Sequence, residues 1–133
     1  MEQELYNKVV EAVHFYASNP SKRCVLGREI RYSGTSLGLD TPGCLIGYLL
    51  PQEVRLEMDF TGSPKGISDF YDEEFEPISH LKPKKLFIML QSWHDNNRVF
   101  SEKGLTCFGK DFLEEIIEEN DLLNRDDFLT LLN

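Results

Sequence analysis

The chain has no long apolar run. Nowhere in its 133 residues do about 18 consecutive hydrophobic residues occur, so no segment qualifies as a membrane-spanning helix. The opening stretch MEQELYNKVVEAVHFY mixes charged and apolar residues and lacks the basic patch and apolar core of a secretory signal. The expected location is therefore the cytoplasm. Cysteine is sparse as well. Cys24, Cys44 and Cys107 are odd in number, widely spaced and without a C-x-x-C pair, which argues against a disulfide framework and fits a reducing compartment.

Other signatures are missing too. Gly34, Gly38, Gly43 and Gly47 match neither G-x-G-x-x-G nor the Walker pattern, and no lysine follows them where a phosphate would need it. Gly34 and Gly38 read as turn residues, and Gly47 as a point where Tyr32 or another helix packs closely. His14, His80 and His94 form no close ligand pair with one another or with a cysteine, so no metal and no cofactor is expected. No carboxylate pair has a spacing that specifies acid–base catalysis.

Positive charge is the last scarcity. Lys and Arg number 14 against 23 Asp and Glu, for a net charge of −9. The imbalance sits in the C-terminal half: residues 61–133 hold 15 acids and 8 basic residues, whereas residues 1–60 hold 8 and 6. Such a surface repels a phosphate backbone, so direct nucleic-acid binding is not expected.

What is present is an ordinary globular composition, 41% hydrophobic and 28% charged, and the length of one domain spanning 1–133. Leu5, Val9, Val13 and Tyr16 recur at nearly 3.6 residues and predict a helix over 2–17, ended by Asn19-Pro20-Ser21. The stretch CVLGREIRY at 24–32 reads as a short strand entering a hairpin or loop. Thr41-Pro42 predicts a helix start, with a short apolar helix over 42–50. Pro51-Gln-Glu-Val can open a further turn, EMDFTGSPKG reads as a loop, and ISDFYDEEFEPISH as one or two helical turns.

Leu86, Met89, Leu90 and Trp93 form the apolar face of a helix over 83–95, with Phe87, Gln91 and His94 on an adjacent stripe. Leu105, Phe108, Phe112, Ile116 and Ile117 predict a helix over 105–119, with Lys110 and Glu114 spaced for an ion pair. The tail DDFLTLLN reads as a last short helix. The expected fold is mainly α (α+β): four to five helices with a small β-hairpin, around a core including Tyr32, Leu86, Leu90, Trp93, Phe108 and Phe112.

Two candidate sites follow. If Thr41 caps its helix, Cys44 lies in the first turn, where free amides and the helix dipole favour a thiolate. His94 would then serve as its base, with Gln91 or Asp95 orienting the ring or, for Gln91, donating to an oxyanion. Asp95 is awkwardly placed for this, because adjacent helical residues point about 100° apart unless the helix has ended. The plainer reading makes Cys44 a small hydrophobe among Leu45, Ile46, Leu49 and Leu50. The second candidate is an acidic surface built from Asp72, Glu73 and Glu74 together with Glu114, Glu115, Glu118 and Glu119, suited to a protein partner with a basic surface. Its plainer reading is a solvated face that keeps the protein soluble.

The stretch Cys44-Leu45-Ile46-Gly47 with Leu50-Pro51, and Leu90-Gln91-Ser92-Trp93-His94-Asp95, resemble a family of small bacterial and bacteriophage proteins. Its members carry an N-terminal helix, a Tyr-bearing strand, a Cys-Ala-Val/Ile-Gly stretch leading into Leu-Ile-Pro, and later Leu-Gln-x-x-His-Asp. The resemblance spans about residues 2–120, with Leu45 in place of the usual Ala and Gln52 in place of the usual Asp. It implies a prokaryotic or phage setting, hence a host cytoplasm for a phage-encoded chain, and draws attention to Cys44, Gly47, Gln91, His94 and Asp95. It implies no established activity. The expected function is that of a small acidic interaction protein, with Cys-His thiol hydrolase or transferase chemistry as the alternative.

Overall fold

The computed structural model describes residues 1–23, 25–26, 29–30, 43–59 and 66–133, those at 25–26 and 29–30 by backbone alone. Among these residues the helices are α1 (Gln3–Ser18), α2 (Leu45–Tyr48), α3 (Gln52–Asp59), α4 (Ile67–Asp72), α5 (Glu76–Ser79), α6 (Lys84–Asp95), α7 (Cys107–Glu119) and α8 (Leu129–Leu132). Short 3-10 turns at Pro20–Lys22 and Arg125–Phe128 follow α1 and precede α8. Two tight antiparallel pairs complete the description: β1 (Val25–Leu26) with β2 (Glu29–Ile30), and β3 (Phe100–Ser101) with β4 (Gly104–Leu105). The protein is thus mainly α with small two-stranded sheets, as the residue pattern predicts.

Helix α6 is the axis of the packing. It contacts α7, α4 and α2, while α1 packs on α2 and β4. Leu86, Phe87, Leu90, Gln91, Trp93 and His94 are all buried, so both stripes read from its sequence face the interior. Val9, Ala12, Val13 and Tyr16 of α1 and Leu113, Ile116 and Ile117 of α7 close the core around it. Burying a side chain of this kind contributes roughly 1.5–3 kcal/mol, far above the few tenths available from a surface ion pair.

Several boundaries depart from expectation. Within the stretch 24–32, Val25–Leu26 and Glu29–Ile30 form an antiparallel pair, Val25 opposite Ile30 and Leu26 opposite Glu29; Cys24, Gly27, Arg28, Arg31 and Tyr32 lie outside the described residues. Glu57, Met58 and Asp59 belong to α3 and not to a loop, because Met58 is buried against the core. Helix α7 begins at Cys107, after Leu105, which pairs with Phe100 in the β3–β4 hairpin. Thr106 is its cap, the side-chain oxygen accepting from Gly109 N at 3.0 Å. This start turns Phe108 outward, 36% exposed, where Arg98 stacks over its ring at 4.4 Å; it is not a core residue. Phe112 packs against the core only partly buried. Lys110 reaches Asn133 O at 3.0 Å, and Glu114 pairs with Arg125 at 2.6 Å in place of Lys110.

The C-terminal segment is tied back to α1. His14 Nε2 lies 2.8 Å from Asp127 O, its ring stacks on Phe128 with centroids 6.1 Å apart, and Tyr6 donates a hydrogen bond to the Asp127 carboxylate. At the end of α4 the chain reverses through Glu74, at φ 55°. Phe75 N bonds Phe70 O at 3.0 Å, Glu74 N bonds Tyr71 O at 3.1 Å, and the Phe70 and Phe75 rings meet at 5.3 Å. Glutamate is an unusual choice for a left-handed position, and its side chain is exposed.

Among the described glycines the backbone is approached most closely at Gly109. A Cβ there would stand 2.3 Å from Val99 O, so α7 lies directly on the chain leading into β3, and Gly109 O accepts from the Trp93 indole at 3.1 Å. Gly109→Ala is expected to destabilise the protein by about 1–3 kcal/mol through forced displacement of Val99, read by urea unfolding followed by circular dichroism.

Candidate functional site

Cys44 takes an extended backbone, φ −147° and ψ 173°, and is itself the N-cap of α2. It does not occupy the first turn after a Thr41 cap; Thr41 and Pro42 lie outside the described residues. Its Sγ accepts from Gly47 N at 3.4 Å, taking the part a serine or aspartate oxygen usually plays. The thiol is completely buried. Burial, above all, pushes its pKa far up; the Gly47 N–H opposes this, the Asp95 and Asp59 charges add to it, and Gln91 opposes it least. At neutral pH the sulfur is a thiol and not a thiolate, the opposite of an activated nucleophile.

Gln91 is buried and engaged at both ends. Its Oε1 accepts from Ile46 N at 3.1 Å, and its Nε2 donates to Asp95 Oδ1 at 2.7 Å. The side chain therefore joins α6 to the first turn of α2. His94 Nδ1 lies 2.8 Å from the same Asp95 oxygen. Asp95 does meet His94, contrary to the adjacency argument, because it is the last residue of α6 and its carboxylate turns back toward Gln91 one turn earlier. An ionised carboxylate only accepts, so Nδ1 carries the imidazole proton and Nε2 presents a bare lone pair.

That lone pair is sealed in. His94 is 0% exposed, and among the described residues its Nε2 has no hydrogen-bond partner, Cys44 included. The ring stands edge-on to Tyr16 at 4.6 Å. Burial, chiefly, lowers its pKa; the Asp95 hydrogen bond and charge raise it and Arg23 lowers it further. Arg23 closes the end of α6: Nη1 donates to His94 O at 2.8 Å, Nη2 donates to Asn97 Oδ1 at 3.2 Å, and the guanidinium lies 4.4 Å from the Phe100 ring centroid. A cation at the carbonyl end of a helix is electrostatically favoured. The structure thus brings Cys44, Gln91, His94 and Asp95 into one buried region, arranged as a brace between helices and without the nucleophile–base contact that thiol catalysis requires.

The other candidate residues lie outside it. His14 is at the α1 end and His80 is exposed, 3.6 Å from Glu76; among the described residues no group of three His, Cys, Asp or Glu side chains is placed to hold a metal. Cys107 is exposed, and Cys24 is outside the described residues. On the acidic stretches, Asp72 pairs with Lys84 at 3.7 Å and Glu119 with Lys85 at 3.4 Å, while Glu73, Glu74, Glu115 and Glu118 are exposed. Glu114 is held by Arg125. Sequence reasoning missed Arg23 as the closing residue of α6; its only signal is a Lys-Arg pair after a helix, with Arg23 71 residues distant from His94.

Gln91→Leu keeps the volume but strands Ile46 N without an acceptor. It is expected to cost about 1–3 kcal/mol of stability, measured by urea unfolding, with Ser92→Ala on the exposed face as the neutral control. Compared with known proteins, the chain matches no family model, no curated protein and no solved structure.

Proposed function

We propose that the protein acts by binding a protein partner with a basic surface, through the acidic residues of α4, the turn after it and α7. The observation that carries this reading is the placement of two adjacent lysines. Lys84 and Lys85, in the first turn of α6, pair with Asp72 of α4 and Glu119 of α7 respectively. The two acidic stretches, separated by some forty residues of chain, therefore flank a single helix turn. Exposed ion pairs of this kind contribute only about 0–1 kcal/mol each, so their value to the fold is small. Glu73, Glu74, Glu115 and Glu118 are exposed and add to the negative surface, and a surface of one sign steers a partner of the other during encounter.

The setting that goes with this reading is the inside of a bacterial or phage-infected cell. The thiol alternative, with Cys44 as nucleophile and His94 as base, is set aside: the sulfur is buried, its pKa is raised, and no hydrogen bond joins it to His94.

Glu115→Lys with Glu118→Lys changes the charge of α7 by four units and leaves the Glu114–Arg125 and Glu119–Lys85 pairs in place. Affinity capture from a lysate of the source cells, read by mass spectrometry, is expected to lose its basic partner with this variant. Capture by the unaltered protein should fall between about 0.1 and 1 M salt, as the screening length drops from about 10 to 3 Å. Partner capture indifferent to both changes removes the acidic face from the explanation.

A further inference from the structure

Two buried side-chain atoms among the described residues lack a hydrogen-bond partner, Arg23 Nε and His94 Nε2. The guanidinium of Arg23 is served elsewhere, by His94 O and Asn97 Oδ1. His94 is different, because its unserved atom is the one that takes up a proton. The ionisable groups around the ring are Asp95 from its own helix, Arg23 from the segment after α1, Tyr16 from α1 edge-on, and Cys44 across Gln91 on the α2 side.

A proton on Nε2 creates a charged donor that no described side chain receives, against the Tyr16 ring and within the field of Arg23. Asp95 compensates only at Nδ1, and its Oδ1 is already shared with Gln91. The protonated ring is satisfied only where water reaches Nε2. Movement of the ring draws on Asp95, hence on Gln91, and hence on the Ile46 N bond beside Cys44.

We propose that His94 is an acid-operated latch: protonation at Nε2 opens the end of α6 and uncovers the Cys44 thiol while the rest of the fold stays intact. In the closed form, burial holds the ring neutral below the ordinary histidine value of 6.5. Below about pH 6.5 the open form therefore binds a proton that the closed form does not. The open-to-closed ratio rises up to tenfold per pH unit until the closed form also titrates, and above neutrality the latch is shut.

The test is differential thiol labelling with 4,4′-dithiodipyridine, which remains reactive in acid, resolved peptide by peptide. Cys107, which is exposed, serves as the internal standard. The expected result is a Cys44-to-Cys107 labelling ratio that climbs by up to tenfold per unit from pH 6.5 downward, with unchanged far-UV circular dichroism, and that becomes flat in His94→Gln. A ratio independent of pH overturns the proposal, as does an identical climb in His94→Gln or a climb that accompanies loss of the helical signal. Should His94→Gln not fold, long-range proton–nitrogen spectra of the unaltered protein decide: the neutral Nδ1–H form must disappear in step with Cys44 exposure. An imidazole that titrates near 6.5 with Cys44 still protected refutes the latch.

Discussion

Asp95 Oδ1 is the atom on which the centre of this protein depends. Helix α6 turns two polar side chains, Gln91 and His94, into a core of Leu, Ile, Phe and Trp, and a buried polar group without a partner costs about 1–3 kcal/mol. One carboxylate oxygen receives both, at 2.7 and 2.8 Å, and sits at the helix end where the chain is free to bring it back. The far end of Gln91 then reaches Ile46 N, so the first turn of α2 is held to α6 by the same group that serves the imidazole. Asp95 keeps contact with solvent on its other side, which spares the core a fully desolvated negative charge.

The excess negative charge is handled by a different rule. Apart from Asp95, the carboxylates described above for the C-terminal half lie at the surface, where several are paired piecemeal: Glu114 to Arg125, Glu119 to Lys85, Asp72 to Lys84. These contacts decide which acids are held and which project, more than they decide stability. The acidic face is thus compatible with the core without being required by it.

Periodicity made α1, α6 and α7 legible, because a stripe of apolar residues over three or more turns has few alternative readings. Local signals were weaker guides. Thr41-Pro42 read as the helix start and put Cys44 in its first turn, whereas Cys44 itself caps α2 through a sulfur, a poor acceptor seldom used for that purpose. The β3–β4 hairpin has strands of two residues and no Asn-Gly or Asp-Gly turn, so Leu105 read as the first residue of α7. Phe108 was assigned to the core as part of the stripe Leu105, Phe108, Phe112, Ile116 and Ile117, whereas the Thr106 cap sets the helical phase and puts Gly109, Leu113, Ile116 and Ile117 inside. At the candidate site the four residues were legible, but the Asp95–His94 contact was not: it exists only because α6 stops there.

The docking of Trp93 on Gly109 gives the protein a built-in optical reporter. Trp93 is the chain's single tryptophan, wholly buried, its N–H held by the carbonyl of α7 and its ring against Phe100 at 5.2 Å. Its ultraviolet emission therefore comes from one environment, the seam where α6, α7 and the hairpin meet. A red shift in that emission reports separation of the seam itself, distinct from fraying of the termini or melting of the shorter helices.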